Sequence, residues 1–320
     1  MKRTFVLLLA AVLCLGANAQ YNDAYRTVET MLNPDNSDAK AIKKAGYKMV
    51  EVTGYEPDAD DTSETIFKHS VKKYDENGRL IYISFYPDAN SPYSAYVYDD
   101  DDRVVKYTEH SGGKDEVFEF EYDRKKGFKN IKYTGSKNFR WVDSVSALIE
   151  TTALDTQYFY FNEDLKLVKH ARKLREDNYA TGYYYADSTF YTYDKKNNLT
   201  AYTYISVNPF GDTVAREQGV YTYNKDRQMS TAVIKLFDHS FRSNLPKKRY
   251  EHTYAYAKKS GRLVNHSMIV YSYYSIEDKM TNDQSSIDNL YTYDKAGLPV
   301  KMASSSDPGV VINYIYVYTK

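Results

Sequence analysis

Six histidines, two runs of aspartate and 36 tyrosines are the residues of this 320-residue chain whose types could do chemistry. His69, His110, His170, His239, His252 and His266 are scattered, with no pair one helical turn apart and no nearby carboxylate triad, so their spacing nominates no zinc site. Asp58, Asp60 and Asp61, and the run Asp99 to Asp102, offer oxygen ligands for a hard cation, but neither has the EF-hand spacing with its central Gly. The second run sits where a hairpin turn is expected and reads as a solvated tip. No nucleophile elbow, phosphate-binding Gly loop or dinucleotide fingerprint is present. A pair of carboxylates could hydrolyse a glycoside, yet nothing in the spacing of the 43 acidic residues selects two of them. No residue is nominated as catalytic, cofactor-binding or metal-binding, and no cofactor is expected.

The tyrosines remain. An aromatic ring stacks on the apolar face of a sugar while a phenol hydrogen-bonds its hydroxyls, so an exposed row of Tyr could bind glycan or protein. Tyr also favours strands, where rings pack against cross-strand neighbours.

The start of the chain reads as an export leader. Lys2 and Arg3 precede an apolar run over 5–15, and Ala17-Asn18-Ala19 supplies small residues for cleavage before Gln20. The expected domains are a signal peptide at 1–19, a helical cap at 20–46 and a hairpin-repeat domain at 47–320. The single cysteine, Cys14, falls inside the leader, so the exported chain is expected to hold no disulfide and to carry no lipid on a cysteine. The leader resembles those of Gram-negative bacteria, which places the protein in the periplasm, at the cell surface or outside. No later stretch approaches the roughly 20 apolar residues of a spanning helix. The 43 basic and 43 acidic residues balance, which gives no electrostatic case for nucleic acid or an anionic membrane.

Residues 22–32 and 37–44 have helical spacing, the second piece ending at Gly46. From 47–55 (YKMVEVTGY) onward the pattern alternates. Residues 74–80, YDENGRL, then recur in weaker form, aligned on Tyr74, Tyr98, Tyr122, Phe161, Tyr193, Tyr223, Tyr256 and Tyr293. Asp or Asn follows each except the last but one, which has Ala257, and such side chains bond the backbone just beyond them to start a turn. Irregular intervals make this a degenerate repeat array.

Asn77-Gly78 predicts a two-residue type I′ hairpin that pairs Tyr74 with Ile81 and Lys72 with Ile83. That register puts Tyr74, Ile81, Ile83 and Phe85 on one aromatic face, and Leu80, Val104, Phe128, Leu167, Leu199 and Met229 on the other, beside Lys106, Lys169 and Thr231. Glu109, His170, Arg172 and His266 interrupt the aromatic face. Residues 136–157, which hold Trp141, read as an extra hairpin or cap, 208–211 (NPFG) and 275–286 as longer loops, and 313–318 (NYIYVY) as a closing strand. The expected fold is all-β: antiparallel hairpins in a long, curved, open meander sheet with a short N-terminal helix.

At YDENGRL, and at 191–199 (YTYDKKNNL) and 291–298 (YTYDKAGL), the chain resembles YD-repeat proteins, the class of Rhs and teneurin shells, over about residues 70–300. It is most similar to short exported YD-type proteins of Gram-negative bacteria. The resemblance implies a β-sheet spiral, surface display and carbohydrate binding rather than catalysis. This chain has few copies, no Rhs core motif and no effector domain.

These readings converge on a non-enzymatic exported scaffold that binds a polysaccharide or an envelope protein. The aromatic stripe Tyr74, Tyr96, Tyr98, Tyr107, Tyr122, Tyr191, Tyr193, Tyr202, Tyr204, Tyr221 and Tyr223 is the candidate contact surface. Two alternatives stand beside it: an outer-membrane β-barrel, which needs an outward face that stays apolar for about 25 Å, and a glycan-processing enzyme without an identifiable catalytic pair.

Overall fold

The computed structural model describes residues 31–57, 64–85, 91–123, 127–135, 138–142, 144, 146–151, 155–175, 184–208, 210–238, 246–258, 260–276, 279–306 and 310–320. The expected leader, the acidic loop 58–63 and all but the last two residues of the expected helix 22–32 lie outside them. Met31 and Leu32 are helical. Helix α1 (Ala39–Ala45) falls where the second helical pattern predicts it, ended by Gly46 at φ 70°.

Among the described residues twenty strands follow. They are β1 (Met49–Pro57), β2 (Glu64–Tyr74), β3 (Leu80–Phe85), β4 (Tyr93–Tyr98), β5 (Val104–Ser111), β6 (Lys114–Asp123) and β7 (Gly127–Thr134). Then come β8 (Asn138–Val142), β9 (Ala147–Thr151), β10 (Asp155–Phe161), β11 (Leu167–Arg175), β12 (Tyr184–Tyr193), β13 (Leu199–Val207) and β14 (Thr213–Tyr223). The last are β15 (Met229–Asp238), β16 (Lys248–Tyr256), β17 (Leu263–Ile276), β18 (Lys279–Tyr293), β19 (Pro299–Ser306) and β20 (Val310–Thr319). The stretch 275–286, expected as a loop, is mostly strand.

The chain forms two compact units. One holds 1–117, 253–268 and 286–320; the other holds 118–252 and 269–285. In the first unit β20 pairs antiparallel with β19, Tyr314 facing Met302, and also with β1, from Met49↔Thr319 to Tyr55↔Asn313. β1 in turn pairs with β2. This corrects the open meander: the last strand pairs with the first, so neither is the free edge that was expected of it. Closure satisfies two rows of backbone groups that an open sheet leaves unpaired. Val52, Met302, Ile312 and Tyr314 form a buried cluster there, with Tyr291 and Tyr316 packed against it.

In the second unit β8 to β15 form an unbroken antiparallel run. Residues 136–157 add the hairpin β8–β9, Trp141 opposite Leu148, and the Trp141 ring packs 5.2 Å from Phe128 and 6.0 Å from Phe161. One face of each strand is buried, while Glu119, Lys129, Lys132 and Arg216 stand exposed on the other. Glu119 illustrates the alternation, lying between buried Phe118 and Phe120.

The turn chemistry differs from the type I′ hairpin in an instructive way. Asp75 Oδ1 accepts from the N–H of Asn77 at 2.9 Å and of Arg79 at 2.8 Å, and the Gly78 N–H donates to the Asp75 carbonyl at 3.0 Å. The fourth residue after the Tyr is left-handed: Gly78 at φ 76°, Asp102 at 62°, Leu165 at 57°, Asn197 at 62°, Arg227 at 64° and Gly297 at 88°. A bulge follows, so Tyr74 pairs with Leu80 instead of Ile81, whereas Lys72 pairs with Ile83 as expected. This is the longer hairpin whose turn ends in a left-handed residue and a bulge. The same bond pattern closes the turns at Asp99, Asn162, Asp194, Asn224 and, at the expected loop 208–211, Asn208.

The bulge also reverses the expected facing. Leu80, Val104, Phe128, Leu167, Leu199 and Met229 are buried in the core and do not lie on the semi-polar face. One extra residue shifts the strand by half its side-chain period, which turns those positions inward while Ile83, Tyr107, Ile131, Tyr202 and Ala232 stay inward too.

Three substitutions test this local geometry. Arg227 is exposed and left-handed, so Arg227→Gly should stabilise by about 0.5–1 kcal/mol, read as a shift in the urea midpoint at constant slope. Gly78→Ala should do the opposite. Its Cβ would stand 2.2 Å from the Ala39 carbonyl oxygen of α1, whereas at left-handed Gly113 nothing lies within 4 Å. Gly113→Ala should therefore cost about 1 kcal/mol and Gly78→Ala at least about 2–3 kcal/mol. Equal costs in the two urea titrations would mean that α1 does not press on this turn.

Candidate functional site

The structure gives the eleven stripe tyrosines to packing. Tyr96, Tyr107, Tyr191, Tyr202 and Tyr221 are buried, and Tyr74, Tyr98, Tyr122, Tyr193, Tyr204 and Tyr223 are half-buried. Tyr96 faces Tyr107 across β4–β5 with ring centres 5.4 Å apart, and Tyr191, Tyr202 and Tyr221 form a row across β12–β14. The Tyr202 hydroxyl donates to Glu217. Gly219 opposite lacks a side chain where that ring lies, since a Cβ would meet Tyr202 Cε1 at 2.1 Å.

The repeat's reference Tyr has a use that its sequence position did not disclose. Tyr98, Tyr193, Tyr223 and Tyr293 donate their hydroxyls to the carbonyls of Leu80, Leu167, Leu199 and Leu263 at 2.6–2.8 Å. Each carbonyl belongs to the residue that opens the strand after the preceding turn. Tyr318 of β20 repeats the contact on Pro299 at 3.0 Å. One hairpin is stapled to the next by a bond of about 1 kcal/mol.

Of the polar residues that break the aromatic face, His170 and His266 are buried in the core, and Glu109 and Arg172 are half-buried. His170 Nε2 meets Gln157 Oε1 at 2.9 Å and its ring stacks on Phe159. His266 stacks on Tyr254 at 4.6 Å with rings nearly parallel, and its Nδ1 lies 3.4 Å from the Asn289 amide nitrogen. Asp99 and Asp101 pair with Arg103, and Asp102 with Arg79, so that acidic run closes turns. Among the described residues no group of three or more His, Cys, Asp or Glu could hold a metal ion.

Polar groups do converge on a cavity of about 40 Å³ in the first unit, lined by Asp38, Val50, Val52, His69, Ser70, Lys72, Tyr74, Phe85, Pro299, Tyr316 and Tyr318. The N-terminal segment positions one side. Asn36 accepts from the Leu80 N–H at 2.7 Å and donates to the Tyr98 hydroxyl at 3.3 Å, which fixes α1 over the first turn. Asp38, at the N-cap of α1, makes no capping bond, so its carboxylate is not used by the helix. β2 supplies the other side. A register shift between Val52 and Thr53 places both His69 and Ser70 in the interior, and Lys72, opposite Val50 and Ile83, shares the inward face.

Burial, with Asp35 nearby, raises the Asp38 carboxyl, against the pull of Lys72 and Arg262. Burial, aided by the Lys72 charge, lowers the His69 imidazole to about 4. Lys72 and Arg262 act on the Asp38 carboxyl as nearby positive charges. Sequence reasoning missed this site. Its legible signals were Tyr74, a member of the aromatic stripe, and Lys72 on the same face; Asp38 and Ser70 carried none, because α1 and a bulge bring them in.

No family model matches the chain, and no curated protein matches it. Solved structures do. It is similar to a porin-like protein from Bacteroides vulgatus ATCC 8482, at 12% identity and TM-score 0.32 over 67% of this chain and 98% of that one. It is similar also to a porin-like protein from Bacteroides uniformis ATCC 8492, at 9% identity and TM-score 0.37 over 85% of this chain and 96% of that one. Likeness of that depth carries no argument about what this chain does.

Proposed function

We propose that this is an exported, non-enzymatic protein of the cell envelope whose hairpins close into a β-barrel, and that the barrel reading replaces that of an open scaffold. The pairing of β20 with both β19 and β1 supports it, because closure is what a barrel has and an open sheet lacks. The outward residues decide its solvent. Lys73 and Lys301 in one unit, and Glu119, Lys129, Lys132 and Arg216 in the other, are exposed on strands. A Lys or Arg facing lipid at the bilayer midplane costs about 2–4 kcal/mol. The favoured reading therefore keeps the wall in water, at the envelope and not through it, where it binds a polysaccharide or an envelope protein.

A barrel that spans the outer membrane is the second reading. It is favoured by Val97, Phe190, Val220, Leu290 and Val317, which are large, apolar and at least 45% exposed. Expression of the full chain in a Gram-negative host, followed by carbonate washing of the envelope fraction, separates the two. A water-standing wall is released into the wash. Retention in the pellet, with extraction only by detergent, selects the spanning barrel and sinks the first reading.

A further inference from the structure

We propose that the cavity between α1 and β2 is a recognition subsite for the vicinal-diol edge of a neutral saccharide. The argument starts from two charges. Asp38 and Lys72 both line the cavity; the Asp38 carboxyl makes no capping bond to its helix and feels Lys72, and also Arg262 and Asp35, as charges nearby. A carboxylate and an ammonium held apart across a small space are best joined by a group that donates to one and accepts from the other. A hydroxyl does both.

Volume narrows the choice. A water-sized probe needs about 10–15 Å³, so about 40 Å³ holds three or four non-hydrogen atoms. That matches two adjacent carbons and their hydroxyls, and is too small for a zwitterion that would bring its own carboxylate and ammonium together with the carbons between them. A lone anion or cation would leave one of the two charges repelled. The Ser70 side chain also lines the space and offers a further hydroxyl, while Phe85 and Tyr316 form aromatic walls against which the apolar face of a sugar ring can rest. The ring itself stays at the mouth. Recognition is thus of one edge of a residue, as suits the end or side of a longer glycan chain.

The site stands whether or not the wall crosses lipid. Its test is isothermal titration calorimetry on the full exported chain with cellohexaose, maltohexaose, a mannohexaose and a xylohexaose, and with myo-inositol as a bare polyol. At least one neutral probe should bind, and Lys72→Met and Asp38→Asn should each weaken it tenfold or more while the melting temperature stays within a few degrees. Should either variant fail to fold, protection of Lys72 from acetylation by the saturating probe, read by mass spectrometry on the unaltered chain, replaces it. No binding by any probe means a pocket of structural water and overturns the proposal. Binding that both variants keep, or that leaves Lys72 unprotected, places the glycan elsewhere and overturns it too.

Discussion

Deleting residues 310–320 should leave a chain that does not fold. β20 supplies Ile312 and Tyr314, 3% and 1% exposed, to a buried cluster with Val52 and Met302 in the first unit, and truncating one buried aromatic side chain costs about 3–5 kcal/mol. Its removal also frees the backbone of β1 and of β19 along their whole paired lengths and loses the Tyr318 staple on Pro299. A domain stable by roughly 5–15 kcal/mol does not survive that sum, and two bare edges invite pairing with other chains. Size-exclusion chromatography with circular dichroism should find aggregate in place of a folded monomer. Adding the 310–320 peptide during refolding should restore soluble material. A soluble truncated chain with an unchanged spectrum would show that closure contributes little to stability.

Acid should unfold the protein from higher pH than carboxylate protonation alone accounts for. Burial, with Lys72 adding to it at His69, lowers His69 to about 4, and burial lowers His266 to about 4 against the opposing Asp288. The unfolded chain binds protons at these rings near 6.5 and the folded chain only near 4. The unfolded state therefore holds more protons in that window, and stability falls as pH drops through it. Below it the loss is complete, about 3 kcal/mol for each ring. Urea midpoints should be flat above pH 7, decline between about 6.5 and 4, and lose most of that decline in a His69→Leu/His266→Leu variant. A decline of the same size in the double variant would assign it to other groups.

Much of the local structure was legible in composition and spacing. Alternation named the strands, Gly46 ended α1, and Asp or Asn after the reference residue marked the turns at Asp75, Asp99, Asn162, Asp194, Asn224 and Asp294, because these choices depend on neighbours only a few residues away. The cross-strand partners Tyr96 and Tyr107, and Tyr191 and Tyr202, follow from register once the turns are placed. The bulge was harder. Asn77-Gly78 fits a two-residue turn by dihedral preference, but Asp75 takes both Asn77 and Arg79 N–H groups and lengthens the loop by one residue. That single residue moved Leu80, Leu167 and Leu199 from the expected outer face into the core.

The candidate site was less legible than the fold. Asp38 belongs to a short helix, Ser70 to a register shift and Tyr316 to the last strand, so their meeting depends on contacts between distant parts of the chain. The tyrosine stripe is the opposite case. It was conspicuous in sequence, but Tyr98, Tyr193 and Tyr223 direct their hydroxyls to carbonyls of the preceding hairpin, which sequence spacing between irregular repeats does not disclose.

By itself, then, the sequence determined an all-β chain of Asx-started hairpins with an aromatic interior, since side-chain period and turn chemistry are local properties. Only the tertiary structure decided that β20 meets β1, that Tyr98, Tyr193, Tyr223 and Tyr293 staple their neighbours, and that Asp38 and Lys72 share a cavity. Those outcomes depend on how many strands lie between the ends and on where each bulge shifts the register. Both are sums over the whole chain.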